Sequence, residues 1–308
     1  MKKTAIIPYF IFLSLFAFLF ACKKTEGSKE NKETILKGST TILVDETLQP
    51  VIEDQIAVFE SVYPAKITLN AKSEKEVLRS LLNDSLSIAI LSRKLNAEEN
   101  KIFEGKKIIP KVTPFATDGI ALIANEKIKD TLVALNDIIA FLQGKSQTAI
   151  KGLVFDNPNS STVRYMNELA GVSELPKKGI FSFKTNEEVI KYVSENEGII
   201  GIVGLNWLYQ PSGIMKDIVK KIKVLSVKST TGNQYYPPSQ NNIAEGTYPL
   251  ARDLYIINCQ GSSGLGMGFA SFVAGERGQR IILKSGLLPV RTPSRLIQVR
   301  KKIYNDKN

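Results

Sequence analysis

Thr41-Ile42-Leu43-Val44, Lys66-Ile67-Thr68-Leu69 and Ser87-Ile88-Ala89-Ile90-Leu91 are three short apolar runs of strand length, and the segments between them decide the fold. In residues 48–62, Val51, Ile52, Ile56 and Phe59 recur at helical spacing, and residues 74–82 form a second helical segment. Strand, helix, strand, helix, strand in so short a stretch requires crossover connections, and hence a mainly parallel sheet. The same alternation continues downstream. Residues 119–124, 152–155, 198–204 and 254–258 read as strands, and 136–142, a segment from about Ser161, 186–194 and 269–283 read as helices. Residues 228–247, rich in Ser, Thr, Asn, Gln and Pro, read as mostly loop. This is an α/β chain, and 308 residues suggest two domains.

Composition narrows the chemistry. The chain has no histidine, which excludes Ser-His-Asp and Cys-His catalysis and histidine-ligated metals. Two cysteines, Cys22 and Cys259, are too few for a thiolate zinc cluster or a disulfide framework. Cys259 ends an apolar run and reads as a structural thiol. A net charge of +11 points to anionic partners: a small oxyanion, a lipid surface or nucleic acid.

The N-terminus carries an address. Lys2 and Lys3 precede an apolar run over residues 5–21, the pattern of a secretory signal. Leu19-Phe20-Ala21-Cys22 resembles a bacterial lipobox, which implies removal of residues 1–21 and acylation of Cys22. Residues 22–34 then form a polar tether. An anchor in the cell envelope sets nucleic acid aside as a partner.

Several short motifs can hold an anion. Gly38-Ser39-Thr40-Thr41 offers backbone N–H groups and hydroxyls that can converge on oxygens, although it also suits the start of a strand. Asn159-Ser160-Ser161-Thr162 precedes a helix, where it can cap the first N–H groups or present them to an anion. Arg164 lies in the first turn, against the helix dipole, so a bound anion would account for it. Ser92-Arg93 ends a strand, where ligands of open α/β sheets bind. Ser73 stands at the equivalent place after residues 66–69, or caps the helix that follows. The glycine run 261–268 does not meet Gly-x-Gly-x-x-Gly, and no P-loop or nucleophile elbow is present. No catalytic residue, metal ligand or cofactor is therefore assigned.

In this order the pieces resemble the PstS-like, phosphate-type periplasmic substrate-binding proteins of ABC importers. The stretches that carry the likeness include Ile88 to Leu95, Thr117 to Asn125, Ser160-Ser161-Thr162, Gly198 to Gly204, Tyr248-Pro249-Leu250-Ala251-Arg252-Asp253-Leu254-Tyr255, and Phe272 to Ile282. The resemblance implies a two-domain, type II Venus-flytrap fold with a mainly parallel sheet in each domain. Domain I would hold residues 35–113 and 247–300, domain II residues 114–246, with a tail at 301–308. It implies a monomer that closes on phosphate or a related oxyanion in the interdomain cleft and delivers it to an ABC-type permease in the inner membrane. The family's contacts fall on Thr40 and Thr41, Ser73, Ser92 and Arg93, and Ser160, Ser161 and Thr162, with Ser39 a further candidate in the same motif as Thr40. Where the family pattern Arg-x-x-Gly-Ser-Gly-Thr has its arginine this chain has Asp156, which either points away or accepts a hydrogen bond from a protonated oxyanion, and Arg164 is the candidate replacement for the positive charge. Two other functions compete: an adhesion or assembly lipoprotein that has lost its ligand, and a phosphate-ester hydrolase of the same fold.

Overall fold

The computed structural model describes residues 33–84, 87–145, 150–209, 211, 213–261 and 263–293. The signal segment, Cys22, the tether up to residue 32, the end of the 247–300 segment and the 301–308 tail lie outside them.

Strand β1 (Gly38–Asp45) enters a 3-10 turn (Glu46–Leu48) and helix α1 (Gln49–Val62), which has proline in its first turn. Strand β2 (Ala65–Lys72) leads through Ser73 into α2 (Glu74–Asn83), where Ser73 and Glu76 form a reciprocal capping box. Then come β3 (Ile88–Leu91), α3 (Ala97–Gly105) and the 15-residue β4 (Lys111–Asn125). The middle of the chain comprises β5 (Leu132–Ala134), α4 (Leu135–Leu142), β6 (Gly152–Phe155), α5 (Ser161–Ala170), β7 (Ile180–Ser182), α6 (Asn186–Glu195) and β8 (Ile199–Gly204). After α7 (Asn206–Tyr209) and α8 (Met215–Val219) follow β9 (Ile222–Val224), β10 (Ser226–Lys228), β11 (Tyr235–Tyr236) and α9 (Gln240–Ala244). The chain returns through β12 (Ala251–Asn258), α10 (Leu265–Ala274), α11 (Glu276–Lys284) and β13 (Leu288–Pro289).

The main sheet runs β2-β1-β3-β12-β4-β8-β6-β7, with β13 and β9 also paired to β4. The crossover strands are parallel as the alternation requires: β1 with β2 and β3, and β6 with β7 and β8. Between the two parallel groups lie antiparallel strands. Strand β12 pairs with residues 111–119 of β4, whereas β8 and β9 pair with residues 120–125. One long strand thus serves both halves.

The apolar cores separate at the same place. One cluster draws its buried residues from Ile120 to Leu250. The other two take theirs from Ile42 to Ala116 and from Leu254 to Leu287. In the second cluster the Phe59 ring meets Phe269 and Phe272 edge-on at 5.6 and 5.3 Å, pinning α10 to α1. The carboxyl ends of β1 and β6, from opposite halves, face each other across the seam. That is the position in which open α/β sheets bind ligands.

Candidate functional site

The first half of the site is the turn after β1. Asp45 caps it, accepting from Thr47 N at 3.2 Å and pairing with Thr47 Oγ1 at 2.9 Å. Thr47 is fully buried, and its carbonyl accepts Asn206 Nδ2 and Trp207 Nε1, each at 2.9 Å. Gly204 permits that approach, because a Cβ there would lie 3.2 Å from the Thr47 carbonyl oxygen and 3.0 Å from Asn206 Nδ2.

The second half is the turn between β6 and α5. Ser160 caps α5 by accepting from Val163 N at 3.3 Å and donates its hydroxyl proton to Asp156 Oδ1 at 2.6 Å. Asn186, the first residue of α6, donates to the other Asp156 oxygen at 3.1 Å. Asp156 therefore braces the turn from beneath. Ser160, Ser161 and Thr162 are all buried, and Thr162 Oγ1 has no hydrogen-bond partner.

The halves meet hydroxyl to hydroxyl. Thr47 Oγ1 lies 3.1 Å from Ser161 Oγ. Arg252 on β12 bridges them, donating to Ser161 Oγ at 2.8 Å and Thr47 Oγ1 at 3.3 Å. Its Nε and Nη2 also donate to Asp118 Oδ2 at 3.2 and 3.0 Å. A buried guanidinium, two hydroxyls and the N-terminus of a ten-residue helix thus converge at one point. All of them favour negative charge.

A second ring crosses the seam further out. Glu74, almost wholly buried, receives Arg164 through Nε and through Nη2 at 3.1 Å, and Ser92 Oγ at 3.2 Å. Arg164 Nη2 also donates to Ser92 Oγ at 3.1 Å, and Lys75 N to the Asn159 carbonyl at 3.2 Å. Outside this ring opens a groove of about 1400 Å³ lined by Arg79, Ile102, Asn159, Arg164 and Leu175 among others.

Four carboxyls at the site, Asp45, Asp156, Glu46 and Asp118, resist ionisation. Burial raises Asp45 to about 6, with Glu74 adding to the rise and Arg252 opposing it. Burial raises Asp156 to about 7 despite the Ser160 hydrogen bond. Burial, then the charges of Asp156, Asp45 and Glu76, raise Glu46 to about 8. Burial also raises Asp118, against the attraction of Arg252.

Of the residues expected from sequence, Ser160, Ser161 and Thr162 lie at the meeting point, and Ser92 and Arg164 meet across the seam on Glu74. Ser73 is spent on its helix cap, donating to Glu76 at 2.7 Å. Arg93 makes two bonds to Glu99, at 2.8 and 2.7 Å. Ser39, Thr40 and Thr41 lie at the other end of β1 from the Thr47 turn. They form the starting half of β1, with Ser39 and Thr41 exposed and Thr40 accepting from Gln260. At about 3.3 Å per residue, Thr41 lies some 13 Å from the strand end that carries the site. Thr47, Arg252, Asp118, Asn206 and Trp207 were missed. The strand-end rule that selects Ser92 also reaches Thr47, in the turn that follows the end of β1 at Asp45. Arg252 had no such signal, because it lies within a strand.

Comparison with known proteins agrees with this architecture. A family model described as PBP superfamily domain matches residues 28–277. The chain is 22% identical to the phosphate-binding protein PstS of Pseudomonas aeruginosa, over 84% of this chain and 85% of that protein. It also resembles the solved structure of a phosphate ABC transporter substrate-binding protein from Clostridium perfringens with bound phosphate. There the TM-score is 0.68 at 21% identity, covering 82% of this chain and all of the other. An ABC-type phosphate transport receptor from Vibrio cholerae gives a TM-score of 0.61 at 18% identity, with 82% of this chain and all of the other covered.

Proposed function

The chain belongs to the PBP superfamily domain family, and from that premise we propose that it is a solute-binding protein rather than an enzyme. It captures phosphate or a related oxyanion between its two halves and delivers it to an ABC-type permease. One observation carries the reading. Thr47 and Ser161, from opposite halves, meet beside a helix N-terminus with Arg252 joining them. Those donors suit an oxyanion, and the unpartnered Thr162 hydroxyl adds one more.

Recognition then works by closure. The anion enters between Thr47 and Ser161, takes hydrogen bonds from both hydroxyls and the first N–H groups of α5, and neutralises Arg252. Ser92, Arg93 and Arg164 stand in the outer ring, and Ser73 serves the fold. The two bodies that close are residues 35–113 with 247–300, and residues 114–246. The separation of the apolar clusters near Ala116 and Leu254 supports this division. Relatives named as phosphate-binding proteins support phosphate as the first solute to test.

Calorimetric titration of the purified protein with inorganic phosphate, sulfate and molybdate tests the reading. Saturable binding of an oxyanion that Arg252→Met abolishes is expected; a folded protein that binds none of them overturns it. Acylation at Cys22 would hold the protein in the cell envelope beside its permease. Mass spectrometry of membrane-extracted protein should find diacylglycerol on Cys22, and an intact Met1 terminus argues against the anchor.

A further inference from the structure

A bare oxyanion needs no space beyond its donors, yet a groove of about 1400 Å³ opens directly outside the Glu74–Arg164 ring. Pockets for organic ligands measure about 300–1,000 Å³, so this space far exceeds what a four-oxygen ion fills. Two helices wall it. Both α2 and α5 begin at the seam, where Lys75 N donates to the Asn159 carbonyl at 3.2 Å, and residues along both line the groove. Ser160, which caps α5 beside Ser161, also lines the groove and so joins it to the oxyanion point. The groove persists although the halves already touch through Thr47 and Ser161 and through Glu74 and Arg164.

The lining says what the groove suits. Glu74, Leu78 and Leu82 lie four residues apart on α2 and share one face, a carboxylate at the ring followed by two leucines. The other half adds Val163, Val172 and Leu175, and α3 adds Ile102, which is 43% exposed. The charged side chains nearest the ring are taken: Arg93 pairs with Glu99, Arg164 with Glu74 and Glu168, and Glu76 holds the Ser73 cap. Lys75, Arg79 and Glu174 are exposed to solvent. We propose that the cleft takes an oxyanion bearing an apolar organic arm, an alkyl phosphonate or a phosphate monoester. The headgroup lies at Thr47, Ser161 and Arg252, and the arm passes Ser160 into the groove between α2 and α5. The inference rests on the oxyanion reading above and names the solute class for the same site. Covering the arm with Leu78, Leu82, Ile102 and Leu175 takes apolar surface of both solute and protein out of water, which inorganic phosphate cannot do.

Titration calorimetry of the purified protein with inorganic phosphate, methylphosphonate and butylphosphonate decides it. The two phosphonates share a headgroup and differ only in the length of the arm. Butylphosphonate should bind tighter than methylphosphonate by roughly 8- to 60-fold, since each added CH2 is worth about a factor of 4 when fully buried and about 2 when half covered. Ile102→Asn with Leu175→Asn makes two partly exposed wall positions polar and should cut that ratio severalfold; any change at the headgroup cancels in the ratio. Equal affinity for the two phosphonates in the wild-type protein, or weaker binding of the longer one, overturns the proposal. So does a ratio that the double variant leaves unchanged. Tight binding of inorganic phosphate with rejection of both phosphonates overturns the arm and leaves the oxyanion reading standing. Failure of all three probes to bind folded protein overturns both.

Discussion

Arg252 and Asp118 form an ion pair at 3.0 Å in which neither side chain is more than 2% exposed, and the same guanidinium reaches Thr47 and Ser161. The pair lies where β12 and β4 run side by side between the two halves, with Arg252 opposite Asp118 in the register. Breaking a buried pair by removing one partner costs about 3–5 kcal/mol, because the remaining charge is left uncompensated. Asp118→Ala should therefore lose that much in urea denaturation. The double variant Asp118→Leu/Arg252→Met should recover much of the stability and none of the oxyanion affinity. A double variant that still binds would remove Arg252 from the site.

Stability should depend on pH in an unusual direction. Asp45, Asp156 and Glu46 have folded-state values raised to about 6, 7 and 8. A carboxyl raised by folding binds more protons folded than unfolded, so stability falls as pH rises. The contribution is full below the unfolded values near pH 4 and is lost as pH climbs through the folded ones. Denaturation midpoints should decline between pH 5 and roughly pH 9. Asp156→Asn with Glu46→Gln should flatten the decline. A profile that rises over that range would mean these groups are ionised throughout.

Gly204 tests the packing beneath the Thr47 turn. The nearest atoms to an added Cβ are Asn206 Nδ2 at 3.0 Å and the Thr47 carbonyl oxygen at 3.2 Å, and backbone gives way poorly. Gly204→Ala should shift the turn and lower stability by about 1–3 kcal/mol, as overpacking does. Oxyanion affinity should fall with it, because the Thr47 hydroxyl moves. Unchanged affinity in calorimetry would place the solute away from Thr47.

Sequence made the fold legible because its signals are local. The helical spacing of Val51, Ile52, Ile56 and Phe59 and the glycine-bounded run 198–204 each identify an element, and the alternation orders them. The site was legible only in part. Ser160-Ser161-Thr162 is a contiguous turn before a helix and can be read as such. Arg252 cannot, since its partner Asp118 is 134 positions away and only the antiparallel register brings them together. Gly38 to Thr41 suits an anion site by residue type, but it begins β1 and lies at the opposite end from the Thr47 turn. Residue type is written in the sequence; which end of a strand faces the seam depends on pairing.

Glu74 presents the sharpest test of how the cleft works. Its carboxylate, buried on α2, holds Arg164 of α5 and Ser92, and Arg93 approaches it at 3.7 Å. Two consequences follow from one carboxylate in that position. It latches the halves together, since Glu74 and Arg164 lie on opposite sides of the seam. It also occupies a guanidinium that an incoming oxyanion could use. Glu74→Gln keeps the shape and removes the charge, so the latch weakens and Arg164 is released. The radius of gyration of the ligand-free protein, measured by small-angle scattering, should rise relative to wild type. Phosphate affinity should rise as well, because the opening needed for entry is no longer opposed and a competing anion is gone. The size of that gain is bounded by the worth of one charge-assisted hydrogen bond, about 1.5–3 kcal/mol or roughly 10- to 150-fold. Arg164→Gln breaks the same latch but removes the released donor, so it should expand the protein without strengthening binding. If both variants lose affinity alike, Glu74 acts by holding the closed form and not as a competitor; if neither changes the scattering, the ion pair is no latch.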